Sequence, residues 1–209
     1  MIARKMRLGI LISGSGTNLQ AIIDASESGA LDADVAVVIT NHDSARGLVR
    51  AKDHGIPGIY VDRGAYPSVR DYNAKIRDIL REYFVDYVVM AGYMRLLGKE
   101  VLDFFPNQVV NLHPALLPSF PGANGIRDAF DFGVKVTGVT VHFANEEFDK
   151  GPIIAQQAVA IAEDDTIESL EAKIHAAEHE LLPKTLQLIA EGRIDIQGRK
   201  VKILPGSDN

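Results

Sequence analysis

The chain has 209 residues, 46% of them hydrophobic, and a formal net charge of −6. That is enough apolar material for the core of one domain, and the acidic balance argues against a nucleic-acid backbone binder, which needs a basic patch. The lack of cysteine excludes disulfides, thiolate zinc sites and a cysteine nucleophile. No apolar run approaches the roughly 18 residues of a membrane span, and residues 1–7 lack the apolar core of a signal peptide, so a soluble, cytoplasmic protein without membrane contact is expected.

In chain order, apolar runs predict strands at 7–12, 34–40, 58–61, 87–91, 108–113, 136–144 and 153–161. Amphipathic stretches at 17–28, 44–54, 68–83 and 97–105 separate the first five of these. Such alternation predicts an α/β fold, a mostly parallel twisted sheet with helices on both faces. Val139, Val141 and Phe143 alternate with Thr140, His142 and Ala144, which reads as a half-exposed, antiparallel later strand. A long helix is expected over 166–191, with Asp165 and Glu168 as a capping box and Ile167, Leu170, Ile174, Ala177 and Leu181 on one face. Pro183 should kink or divide it, because proline removes a hydrogen bond and crowds the preceding turn. Residues 194–197 and 200–203 flank Gly198-Arg199 as a terminal hairpin, residues 205–209 read as a frayed tail, and one domain, 1–209, is expected.

Four segments carry possible chemistry. Ser13-Gly14-Ser15-Gly16-Thr17-Asn18-Leu19 is a glycine-rich turn between a strand and a helix. Glycine lets backbone approach a ligand, and a helix start offers free N–H groups, so a phosphate fits without a basic side chain. Leu19 replaces the third glycine of a dinucleotide fingerprint and no Lys-Ser or Lys-Thr follows, so one phosphate, or a plain turn capped by Thr17 or Asn18, is the reading. Ala91-Gly92-Tyr93-Met94-Arg95-Leu96-Leu97 ends a strand, and its Met94, Leu96 and Leu97 suit the wall of a pocket for a flat heterocycle, or simply the core.

Asn111-Leu112-His113-Pro114 closes the fifth strand, where Asn111 and His113 share a face. An amide and an imidazole at a strand's carboxyl end suit stabilisation of an oxyanion, and a carboxylate such as Asp149 would hold the imidazole protonated or take a proton. Alone, Asn-x-His is more often structural. His175-Ala176-Ala177-Glu178-His179 matches an inverted zinc motif, but no third ligand is evident and no metal is expected.

Together these segments, with Thr140-Val141-His142-Phe143 and Asp149-Lys150-Gly151-Pro152-Ile153-Ile154, resemble the phosphoribosylglycinamide formyltransferases, folate-dependent enzymes of purine synthesis, over residues 10–194. The resemblance implies a Rossmann-like formyltransferase fold. It implies small-molecule substrates: 10-formyltetrahydrofolate as formyl donor and 5'-phosphoribosylglycinamide as acceptor, with no metal. Asn111, His113 and Asp149 would be catalytic. Gly16, Thr17, Asn18 and Glu178 would bind the nucleotide. Met94, Arg95, Leu96 and Leu97, with Asn111, Ala144, Asn145, Glu146, Glu147 and Phe148, would hold the folate, largely through backbone groups. Monomer and homodimer both remain open.

Two departures stand out. The family often carries arginine where Val69 aligns, and here Arg70 follows one residue late; the loop Pro121-Gly122-Ala123-Asn124-Gly125-Ile126 lacks a histidine common there, so no catalytic role is assigned to it. Formyltetrahydrofolate deformylases share the catalytic pattern but carry an additional N-terminal domain, which is not expected here with the first strand at Arg7. Methionyl-tRNA formyltransferases would need a C-terminal RNA-binding extension and a basic surface. A nucleotide-binding module without catalysis is the rival from another class, and Asn111, His113 and Asp149 together argue against it.

Overall fold

The computed structural model describes residues 4–206, so the expected tail is seen only to residue 206 and its last residues lie outside the described part. The chain packs as two compact units that meet in sequence at Val110 and Asn111.

The first unit contains β1 (Met6–Ile12), α1 (Thr17–Glu27), β2 (Ala33–Thr40), α2 (Arg46–Asp53), β3 (Gly58–Tyr60), α3 (Val69–Glu82), β4 (Tyr87–Met90) and the short α4 (Lys99–Leu102). Its strands lie in the order β3-β2-β1-β4, all parallel. β1 is central, and Leu8, Ile10, Leu11 and Ile12 are fully buried, as expected of a strand covered on both faces. The chain leaves β1 towards β2 and returns on the other side as β4, so the loops after β1 and β4 flank a switch in strand order, where open α/β sheets bind ligands. The two loops are bonded together. Ser13 N–H donates to the Gly92 carbonyl (3.1 Å), and Met94 N–H donates to Ser13 Oγ (2.9 Å).

β5 (Val109–His113) leads into the second unit, which adds α5 (Gly125–Phe132), β6 (Val136–Phe143), β7 (Ile153–Ala160), α6 (Ile167–Ala190), β8 (Ile194–Gln197) and β9 (Lys200–Ile203). The order here is β5-β6-β7-β9-β8, with β6–β7 and β8–β9 antiparallel. The fold is therefore α/β, with parallel strands and helices first, antiparallel strands later and a long C-terminal helix. Among the described residues no helix is long and apolar enough to cross a membrane.

Several local expectations change. β6 is not half-exposed: every residue after Val136 is buried, because Thr140 and His142 are satisfied by hydrogen bonds rather than by water. The capping box of α6 is Thr166 with Ser169, one residue later than Asp165 with Glu168; Asp165 instead accepts from Ser169 Oγ and Lys173. α6 runs through Pro183 undivided, with Leu182 and Leu186 fully buried on either side of it. The cap of α1 is neither Thr17 nor Asn18 but Gly16, at φ 70°. α5 has no counterpart among the helices expected from periodicity.

Candidate active site

Asn111 and His113 stand at the end of β5, and Pro114 follows with no N–H for a ladder. Leu112 between them is buried, and His113 is only 3% exposed. The carboxylate arrives from the turn that joins β6 to β7. Asp149 takes the left-handed conformation there (φ 54°), unusual for a non-glycine residue, and this aims its side chain back at the end of β5. Its Oδ2 lies 3.5 Å from His113 Nδ1, and its Oδ1 accepts a long bond (3.4 Å) from Asn111 Nδ2. The three residues predicted to be catalytic are thus in one cluster.

A fourth polar group belongs to it. His142, 1% exposed on β6, places Nε2 3.0 Å from Asn111 Nδ2 and 3.7 Å from Asp149 Oδ1. Its Nδ1 faces the Phe143 carbonyl at 2.9 Å. A carbonyl only accepts, so Nδ1 carries the hydrogen, and in the neutral ring Nε2 accepts from the Asn111 amide. This orients the amide with nitrogen inwards. In the sequence His142 stands out only as part of a motif; its signal is a polar residue two positions from Thr140, on the same strand face.

The loop 121–126, to which the sequence assigns no catalytic role, and Phe120 just before it supply backbone groups. His113 Nε2 donates to the Phe120 carbonyl (2.8 Å), and Gly122 N–H donates to Asp149 Oδ2 (2.7 Å). Gly125 explains the close approach, since a Cβ there would stand 3.2 Å from His113 Nε2 and 3.2 Å from the Phe120 oxygen. Burial alone would raise the pKa of Asp149. The His142 contact, the Gly122 N–H and the neighbouring His113 outweigh it, and the carboxyl is held below the ordinary carboxylate value.

The other predicted residues are placed as follows. In the first unit Gly16 begins α1, with Asn18 buried and Thr17 half-buried beside it. After β4, Met94 and Leu96 expose apolar surface and Arg95 is exposed, whereas Leu97 is buried in the core. Arg70 is 84% exposed at its side chain, 3.8 Å from Glu100. In the second unit Ala144 and Asn145 are half-buried, Glu146, Glu147 and Phe148 are exposed, and Asn145 Oδ1 accepts from Glu147 N–H. Glu178, 5% exposed on α6, accepts from His175 Nδ1 at 2.9 Å. Among the described residues no group of three or more His, Asp and Glu side chains could hold a metal ion.

The formyl transferase family pattern matches residues 6–186. The chain belongs to the formyl transferase family. Within that family it is 40% identical over 191 residues to the phosphoribosylglycinamide formyltransferase of Haemophilus influenzae, covering 91% of this chain and 90% of that one. It is 38% identical to the trifunctional purine biosynthetic protein adenosine-3 of Gallus gallus over 92% of this chain, which spans only 19% of that much longer protein. Of solved formyl transferase structures, glycinamide ribonucleotide transformylase 1 of Symbiobacterium toebii superposes with a TM-score of 0.95 at 48% identity, covering 97% of this chain and 96% of that one. A formyltetrahydrofolate deformylase from Pseudomonas syringae gives 0.89 at 30% identity, covering 97% of this chain and 67% of the other.

Proposed function

We propose that this formyl transferase moves the formyl group of 10-formyltetrahydrofolate to the amine of 5'-phosphoribosylglycinamide in purine biosynthesis. The observation that carries the reading is the buried meeting of Asn111, His113 and Asp149, side chains from two separated segments that the fold brings within 3.5 Å of one another. Its support from relatives is the agreement in name of the transferases that cover nearly the whole chain.

The acceptor amine resembles an α-amine, with an unperturbed pKa of roughly 8, so part of it is neutral near pH 7. Its nitrogen attacks the formyl carbon, the carbonyl π pair moves onto oxygen, and a tetrahedral oxyanion forms. His113 Nε2–H and an Asn111 amide hydrogen stabilise that oxygen. Both hydrogens already point at exchangeable acceptors: the Phe120 carbonyl for His113, and the long contact to Asp149 for Asn111. The oxyanion replaces these acceptors, while the shorter His142 contact keeps the amide oriented. Asp149, ionised throughout the physiological range, takes the proton shed by the attacking amine, directly or through a water, and helps return it to N10 as the carbon–N10 bond breaks. Formyl leaves one nitrogen for another and the proton count balances, with no covalent enzyme intermediate. Gly16, Thr17, Asn18 and Glu178 bind the nucleotide in this reading. Met94–Leu97 and Ala144–Phe148 hold the folate.

Incubating the protein with 10-formyltetrahydrofolate, with and without the glycinamide nucleotide, tests the proposal. Tetrahydrofolate release that requires the nucleotide is the expected result. Release without it would make the protein a hydrolase, and no release in either case would leave a binding module.

A further inference from the structure

The glycine-rich loop is held from outside by α2, through contacts that no step of the chemistry uses. Gly47 N–H donates to the Gly14 carbonyl (3.2 Å), and Arg50 Nε donates to the Ser15 carbonyl (3.0 Å). In a trans peptide the C=O and the next N–H point in opposite directions. Drawing the Gly14 and Ser15 carbonyls towards α2 therefore turns the Ser15 and Gly16 N–H groups the other way, side by side. Two adjacent N–H groups beside a helix start attract an anion, whereas carbonyls on that side would repel it. Close approach of α2 requires glycine at both positions: a Cβ on Gly16 would stand 2.8 Å from Gly47 Cα, and one on Gly47 would overlap Ile12.

Arg50 is itself fixed. Its Nη1 donates to Gln20 Oε1 (3.1 Å). Gln20 cannot present its nitrogen there, because Nε2 donates to Asp24 (2.8 Å) and faces His54 Nε2 (3.0 Å), whose Nδ1 is 2.6 Å from Glu27. Two prongs of one planar guanidinium thus tie the loop to α1 and α2 at once, which a lysine cannot reproduce.

We infer that Arg50 is a positioning residue for the phosphate subsite, pinning the Ser15 carbonyl so that the Ser15 and Gly16 N–H groups are set for an anion before it arrives. This rests on the reading of the loop as the phosphate end of the nucleotide site. Arg50→Ala should raise KM for the glycinamide nucleotide about tenfold or more, the usual worth of a hydrogen bond to a charged group, with kcat and KM for the formyl donor little changed. The dephosphorylated glycinamide riboside should be used equally by wild type and Arg50→Ala, because the lost interaction is with phosphate. Arg50→Lys, which keeps the charge but not the two prongs, should retain most of the defect.

Titration with inorganic phosphate, followed by the amide resonances of Ser15 and Gly16, needs no turnover and so separates this inference from the proposed function. Wild type should show saturable shifts at both amides, and both variants should bind about tenfold more weakly. Equal phosphate affinity in wild type and variants, no phosphate-dependent shift in wild type, full rescue by lysine, or an equal loss on nucleotide and riboside would each overturn the inference. Should Arg50→Ala fail to fold, Arg50→Lys and Gln20→Leu, which removes the second anchor, carry the same comparisons.

Discussion

Asp149→Asn changes one charge and almost no volume, so it separates the electrostatic role of this residue from packing. The carboxylate stands 3.5 Å from His113 and 3.7 Å from His142, and it accepts from Gly122 N–H at 2.7 Å. At an effective dielectric of about 20, a unit charge pair at that first distance is worth roughly 5 kcal/mol, a ceiling on what the imidazolium can gain. The part that matters for rate is the proton transfer, for which a positioned acid–base group typically contributes about 10²–10⁴, so kcat should fall by about that factor. Stability should change little, because the lost attraction is offset by no longer burying a charge; a net effect of about 1 kcal/mol moves Tm by about 2–4 °C in a chain of this size. The pH dependence follows from the depressed carboxyl. Its ionised-state contribution is present above the ordinary carboxylate pKa of about 3.9 and is lost only as pH falls through the lower folded value, so wild type should keep this contribution unchanged from pH 8 down to about 5. Steady-state tetrahydrofolate formation and a melting curve on each protein are the assays. A folded Asp149→Asn enzyme within a few-fold of wild-type kcat would refute the assignment of Asp149.

Asn111→Ala removes the amide donor and should lower kcat by a factor of hundreds, about 2.7–4 kcal/mol, in the same assay, with KM for both substrates affected far less. Gly151→Ala tests the frame around Asp149: its methyl would overlap the Phe143 carbonyl oxygen, which holds His142 Nδ1, in the turn closed by Phe143 N–H donating to Pro152 (2.9 Å). Overpacking of about 1–3 kcal/mol is expected, read as a melting temperature lower by several degrees and as loss of activity. His175 titrates above its ordinary value of 6.5 because of its bond to Glu178, opposed by partial burial and aided by the charges of Glu178 and Glu171. A raised folded pKa stabilises below 6.5 and is lost as pH rises through the folded value, so wild type should lose stability relative to His175→Gln as pH rises above about 6.5 in paired thermal melts. The effect should be small, since the imidazole is half exposed.

Periodicity makes the parallel half of the fold legible because burial on both faces leaves a continuous apolar run, as in Leu8 to Ile12, between turn residues. The same rule misreads β6. Thr140 looks like a solvent-facing residue in an alternating pattern, yet its hydroxyl donates to the Ala115 carbonyl and accepts from Leu117 N–H, so a polar face is buried without penalty. Helix α5 escapes the pattern because Gly125 opens it and Asn124 precedes it, both turn-forming residues in sequence, while its position is set by the close approach to His113. For the site, alternation is enough to pair Asn111 with His113. Nothing local foretells that Asp149 returns to them, because that depends on a β6–β7 register and on a left-handed residue in the connecting turn.

Backbone at Phe120 and in the loop 121–126, to which the sequence assigns no catalytic role, answers a problem that burial of His113 and Asp149 creates. His113 and Asp149 side chains are only 4% and 5% exposed, and a buried polar group left without a partner costs about 1–3 kcal/mol. Side chains filling that need would each lose rotamer freedom on being fixed there. Backbone groups of Phe120 and Gly122 meet it instead, a carbonyl for the imidazole N–H and an N–H for the carboxylate, each matched in polarity to what it contacts. In the proposed mechanism the substrate oxygen would exchange one acceptor for another at His113 Nε2, so most of the desolvation would be settled when the chain folds and little left for the reaction. A side-chain histidine in that loop is therefore not needed for this task, and its absence from residues 121–126 is compatible with a working site.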